Sequence, residues 1–142
     1  MGEITYLLDT NICIALIQGH PQAHRHFRLK ARTCYTSSLV VAELYKGVFC
    51  STRQQANRQD LDRFLQILPQ LDFDHHAALE FGKIQGALRR IGRPTGVMDA
   101  LIAAVARSHQ FTLVTHNTSD FIHIENLLLE DWLDELNSTT LA

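Results

Sequence analysis

Four carboxylates occupy places where local structure alone gives little reason for an acid. Asp9 stops an apolar run in Leu8-Asp9-Thr10-Asn11, and Asp120 follows another in Thr115-His116-Asn117-Thr118-Ser119-Asp120. Glu43 interrupts the otherwise apolar stretch 39–45, and Asp99 sits between Val97-Met98 and Ala100-Leu101. An unpaired carboxylate at the edge of buried surface is costly. Gathered together, such groups repel one another, and their pKa values rise unless a cation intervenes. The cation that suits oxygen donors is a hard divalent ion, Mg2+ or Mn2+, which keeps several waters and takes substrate phosphate as a further ligand. The chemistry on offer is therefore hydrolysis of a phosphodiester by metal-activated water. Each acid alone also has a plainer explanation. Asp9 and Asp99 fit helix N-caps, Glu43 can pair with Lys46 three residues on, and Asp120 fits a turn.

The elements that would bring these acids together alternate along the chain. Residues 4–8, 33–36 and 111–115 read as short strands of the kind buried in a parallel sheet, with a briefer one over 71–73. Apolar spacing predicts helices over 12–17, 22–29 and 39–46, the last capped by Ser37-Ser38 and closed by Gly47. Another runs through Leu61, Phe64, Leu65 and Leu68, and a longer one starts from an Asp74 cap and carries Ala77, Phe81, Ile84 and Leu88 on one face. Gly92-Arg93-Pro94-Thr95-Gly96 is a loop, residues 99–108 form a helix, and 126–136 hold a final strand and a short terminal helix. Such alternation predicts an α/β fold, a three-layer α/β/α sandwich around a central parallel sheet. In these folds ligands gather beyond the carboxyl ends of the strands, where the acids fall.

Composition narrows the field without choosing a function. A length of 142 residues argues for a single domain over 1–142, large enough to build a core without disulfides or a structural metal. With 46% apolar and 20% charged residues the chain is neither disordered nor fibrous. No apolar run is long enough for a bilayer and the first residues lack a signal peptide's basic and apolar blocks, so the expectation is a soluble cytoplasmic protein with no membrane contact. A net charge of −2 supplies no global field to gather nucleic acid, though it leaves room for a local basic strip. Cys13, Cys34 and Cys50 lack a Cys-x-x-Cys pair and are expected to be core or half-buried residues. No His-Glu-x-x-His occurs among the histidines, and a histidine zinc site is not expected.

The segments Leu8-Asp9-Thr10-Asn11, Ser38-x-x-x-Ala42-Glu43-Leu44-x-x-Gly47, Asp99-x-Leu101-Ile102-Ala103-Ala104 and Thr115-x-Asn117-x-x-Asp120-Phe121 carry a family likeness. In order and spacing they resemble the motifs of PIN-domain ribonucleases, most closely the VapC toxins of bacterial toxin–antitoxin modules. The resemblance implies a PIN-like sandwich and metal-dependent cleavage of RNA with Mg2+ or Mn2+. It maps the catalytic, metal-binding cluster onto Asp9, Glu43, Asp99 and Asp120, with Asn11, Ser38 and Thr115 in support. Asn117 stands where relatives often carry an acid, which makes it a neutral ligand or a hydrogen-bond donor. The resemblance further implies a VapB-like antitoxin that wraps the toxin and blocks its site, and a homodimer. The alternatives are a nuclease of the same fold acting in RNA maturation or on DNA, and a metal-free binding module.

Substrate contact is expected from basic residues beside the acids, because an acidic pocket alone repels phosphate. Arg93, Arg90 and Lys46 are the candidates. Arg89 fits a helix C-terminus equally well, and His116 is either an RNA contact or a plain surface histidine. The apolar helix over 12–17 suits a groove for an amphipathic antitoxin segment, or is simply a core helix.

Overall fold

The computed structural model describes residues 2–134. Its strands are β1 (Tyr6–Leu8), β2 (Cys34–Ser37), β3 (Gln70–Leu71), β4 (Thr112–Val114) and β5 (Leu129–Glu130). Its helices are α1 (Thr10–Ile17), α2 (Pro21–Lys30), α3 (Ser38–Phe49), α4 (Gln54–Gln66), α5 (His75–Arg90) and α6 (Val97–His109). The strands form one five-stranded sheet in the order β3-β2-β1-β4-β5, parallel throughout. β1 and β4 lie side by side at its centre, with Tyr6, Leu7 and Leu8 opposite Thr112, Leu113 and Val114.

Every residue of β1 and β4 is buried, although successive side chains of a strand point to opposite faces. Both faces of the sheet are therefore covered, as the predicted three-layer α/β/α sandwich requires. Parallel neighbours need long crossovers. α1 and α2 carry the chain from β1 to β2, and α3 and α4 carry it on to β3. α5 and α6 then return it to β4, on the far side of β1. The order reverses between β1 and β4, so the crevice beyond their carboxyl ends is the topological switch point of the sheet.

α6 is apolar almost all round and buries Ala100 and every residue from Ile102 to Ala106, as a helix packed inside a domain must. α5 packs along it. Trp132, Phe121, Leu7, Leu8 and Ile12 are among the largest side chains wholly removed from solvent.

Several boundaries differ from the sequence expectation for physical reasons. α3 runs past Gly47 to Phe49, because Leu44 and Val48 both bury their side chains and outweigh the roughly 1 kcal/mol a mid-helix glycine costs. Its cap is Ser37, whose hydroxyl accepts the Val40 N–H at 3.2 Å, and Ser38 is its first residue. α6 begins at Val97 with Gly96 at the cap, so Asp99 lies within the first turn and is no N-cap. Leu68 falls beyond the end of α4 but is buried. β1, β3 and β4 are each shorter than the apolar runs that signalled them. The expected terminal helix is not formed as far as Asp134, the chain instead turning at Trp132 and Leu133, and its last residues lie outside those described. Cys13 and Cys34 are buried as expected, whereas Cys50 is exposed at the end of α3. Among the described residues no helix is long and apolar enough to cross a membrane.

Candidate active site

Asp9 leaves β1 and caps α1 in one step, so the N-cap explanation offered for it holds. Its backbone N–H donates to the Val114 carbonyl at 2.9 Å, which extends the β1–β4 ladder to the acid itself. One carboxylate oxygen, Oδ1, accepts the Thr10 N–H at 2.8 Å, and the other, Oδ2, accepts the Thr115 hydroxyl at 2.8 Å. Only 5% of the residue is exposed. A carboxylate held through both oxygens by donors on two elements has almost no freedom to turn.

Thr115 is itself wholly buried just past β4 and accepts the Asn117 N–H at 3.1 Å. Asn11 binds the same loop: its amide nitrogen lies 3.5 Å from the Thr115 hydroxyl, and its Oδ1 accepts the His116 N–H at 3.0 Å. The Thr10 hydroxyl donates to Glu43 Oε1 at 2.7 Å, linking the first turn of α1 to the middle of α3. Glu43 thus takes Thr10 as its partner where the sequence had offered Lys46, which is exposed. Thr10 is the residue sequence reasoning passed over. Its place between Asp9 and Asn11, in the first turn of a helix that starts at a strand end, was the available signal.

The remaining acids come from the return half of the chain. Asp99, half-buried in the first turn of α6, sits where the helix dipole favours a negative charge. Asp120 is exposed in the 3-10 turn Thr118–Asp120, and its carbonyl accepts the Thr95 hydroxyl at 2.9 Å. Asp99, Asp120 and Arg93 line one cleft of about 430 Å3. Arg90 lies in a different cleft alongside α5, and Ser38 is half-buried at the start of α3. Asn117 is exposed and meets the site through its backbone N–H on Thr115.

The acids sense one another. Burial holds the Asp9 carboxyl above its ordinary pKa, the hydrogen bonds from Thr10 and Thr115 pull it back, and the charges of Glu43 and Asp120 raise it again. Asp99 is likewise raised, first by burial and then by the charges of Asp9, Asp120 and Glu43. Among the described residues, no three His, Cys, Asp or Glu side chains form a ready-made metal cage. Carboxylate oxygens are the donors that suit Mg2+ or Mn2+, ions that take one or two carboxylates and complete their shell with waters and substrate phosphate. Asp9 and Asp99, both raised by burial and by the charges of neighbouring acids, fit that donor set.

Residues 6–127 match the PIN domain. Ribonuclease VapC2 of Rickettsia felis is 38% identical over 130 residues, which span 89% of this chain and 97% of that protein. The tRNA(fMet)-specific endonuclease VapC of Shigella flexneri is 37% identical over 130 residues, spanning 91% and 98%. The solved structure of VapBC2 from Rickettsia felis bound to a promoter DNA fragment superposes with a TM-score of 0.86 at 37% identity, covering 91% of this chain and 99% of that one. DNA-bound VapBC from Salmonella typhimurium gives 0.87 at 34% identity over 92% and 99%. The chain belongs to the PIN-domain family, and within it to the VapC ribonucleases, which are hydrolytic endoribonucleases.

Proposed function

We propose that this chain is the ribonuclease toxin of a toxin–antitoxin pair and cleaves RNA with Mg2+ or Mn2+ held by its acid cluster. The observation that carries this reading is the web at the switch point. Asp9 is fixed through both carboxylate oxygens, Thr10 draws Glu43 to the same place, and Asp99 feels the charge of Asp9. Asp9 and Asp99 would hold the ion directly, with Glu43 and Asp120 flanking it. When bound, a divalent ion lowers the pKa of a coordinated water and offsets charge developing on the phosphate.

The chain's own residues supply the order that this chemistry needs. Thr10 and Thr115 orient the Asp9 carboxylate before any ligand arrives, so no reorganisation is left for the reaction itself. Glu43, steadied at Oε1 by Thr10, would orient the attacking water through Oε2. Arg93, in the same cleft as Asp99 and Asp120, offers a positive charge to the incoming phosphate. Attack by water leaves a 5′-phosphate and a 3′-hydroxyl. A relative at 37% identity is named for cleavage of tRNA(fMet), which makes a transfer RNA the first substrate to test.

The antitoxin belongs to the same proposal, since related structures are VapBC complexes. An apolar groove of about 390 Å3 lies between α1, α3 and α4, lined by Ile14, Ile17, Leu44 and Val48, and it reaches Glu43. α1 therefore turns Ile12, Cys13, Ala15 and Leu16 to the core and leaves Ile14, 41% exposed, for a partner segment.

The test is a digest of transfer RNA by the purified chain with Mg2+, with chelator, and with Asp99→Asn. Cleavage that stops under both changes supports the proposal; an Asp99→Asn chain as active as the unaltered one removes it.

A further inference from the structure

The cleft that holds Asp99 and Asp120 does not end there. A second cleft, of about 780 Å3, shares its lining residues Leu88, His123 and Ile124 and continues along α5. Leu88 and Ile124 are buried and form a floor, while His123 is exposed at the waist between the two. Beyond the waist the wall carries Lys83 and Arg90. Seven residues apart on one helix, these two share a face and are separated by about 10 Å along its axis. Arg93 then stands in the first cleft, so Lys83, Arg90 and Arg93 run in sequence toward the acids.

Two acids line the second cleft, Glu80 and the exposed Glu125, against three cations, Lys83, Arg90 and Arg107, so the wall keeps a net positive charge. Glu80 is paired with the Arg107 guanidinium at 3.2 Å, and Arg107 also donates to the Glu125 carbonyl at 3.1 Å. With its side chain 15% exposed, Arg107 braces the wall and is not offered to a ligand. Lys83, 61% exposed, stands 3.8 Å from Glu80 and loses little charge to a partner already satisfied. Arg90 is exposed.

We infer that the two clefts are one track for a single strand of RNA that flanks the scissile phosphate. In it Lys83 and Arg90 hold backbone phosphates, and the His123 ring offers a face to a base at the waist. The inference rests on the ribonuclease proposal. Its logic is electrostatic: a site built of carboxylates needs cations at a distance to hold a polyanion in place, and this row is continuous with that site. A cationic groove with an aromatic ring set beside it is the arrangement that grips single strands through phosphates and base faces.

The experiment compares the unaltered chain, a Lys83→Ala/Arg90→Ala double variant, His123→Ala, and an Arg25→Ala/Arg28→Ala control that removes equal charge from exposed positions on α2. Each is assayed on a long single-stranded oligoribonucleotide over a range of salt, and on a trinucleotide too short to follow the track. Removing the two track cations should raise KM about tenfold on the long substrate, as expected when two solvent-exposed ion pairs with phosphate are removed. The salt slope should fall by about 1.4, or about 0.7 for each phosphate that is no longer neutralised. His123→Ala should raise KM at least about fivefold. Both effects should shrink on the trinucleotide. An unchanged KM and salt slope in the double variant overturns the inference, as does an equal shift in the α2 control or an unaffected His123→Ala. Cleavage by the unaltered chain reports on the ribonuclease proposal, whereas the comparison between variants reports on the track, so the two can fail separately.

Discussion

Thr115→Val removes one hydroxyl and keeps the side-chain shape at a wholly buried position. In the unaltered chain that hydroxyl donates to Asp9 Oδ2 at 2.8 Å and accepts the Asn117 N–H at 3.1 Å. Its removal leaves a nearly buried carboxylate oxygen with no donor. A hydrogen bond to a charged group contributes about 1.5–3 kcal/mol, so the variant should be less stable by about 2 kcal/mol. For a chain of this size that corresponds to a fall in Tm of about 6–8 °C. The Thr115 bond pulls the Asp9 pKa down, so without it the carboxyl moves further above its ordinary value. The penalty should therefore be largest at pH values where Asp9 is ionised, and shrink as pH falls and it gains its proton. Activity should drop by about 10- to 100-fold, the usual cost of removing a group that orients a metal ligand. Thermal denaturation at several pH values, with RNA cleavage measured beside it, reads all three effects. A variant within about 0.5 kcal/mol of the unaltered chain, with full activity, would refute the claim that Thr115 holds Asp9 in place.

Two further outcomes follow from the same geometry. The folded chain keeps Asp9 protonated at pH values where the unfolded chain has lost the proton, because burial and then neighbouring acids raise it. Its contribution to stability is thus complete below the ordinary value of 3.8 and is lost as pH rises through the raised one. Asparagine caps a helix as well as aspartate does, so metal-free Asp9→Asn should gain on the unaltered chain as pH is raised; a difference independent of pH in denaturation curves would count against the crowding of acids. Trp132, wholly buried, sits edge-on to Tyr6 at 5.8 Å, stacks on His26 at 5.4 Å and donates from Nε1 to Glu130 at 2.9 Å. Trp132→Ala should cost about 3–5 kcal/mol in denaturant unfolding, and a cost under about 1 kcal/mol would mean the C-terminal strand is not pinned through this ring.

What the sequence made legible was local. Asp9 after an apolar run and Asp74 before a helical pattern are each readable from a few residues, and Asp74 does cap α5, accepting the Ala77 N–H at 2.9 Å. Asp99 was recognisable as an acid set in apolar surroundings, but the helix was expected to start at Asp99, whereas α6 starts two residues earlier at Val97 with Gly96 at its cap. The end of α3 was missed as well: Gly47 looks like a stop until Val48 is seen to be buried. Thr10 could be marked out by its place between Asp9 and Asn11, but its partner Glu43 lies 33 positions on and local spacing does not name it. Nor did sequence join Lys83 to the Asp99 cleft, since the link runs through His123 and Ile124, far along the chain from Lys83.

The central claim is that Asp9 and Asp99 share a divalent ion at the switch point between β1 and β4. Anomalous diffraction from crystals of the chain grown with Mn2+ reads this directly. The account predicts a manganese peak within ligand distance of both carboxylates. Manganese bound elsewhere with that crevice free of it, or touching neither acid, would contradict it.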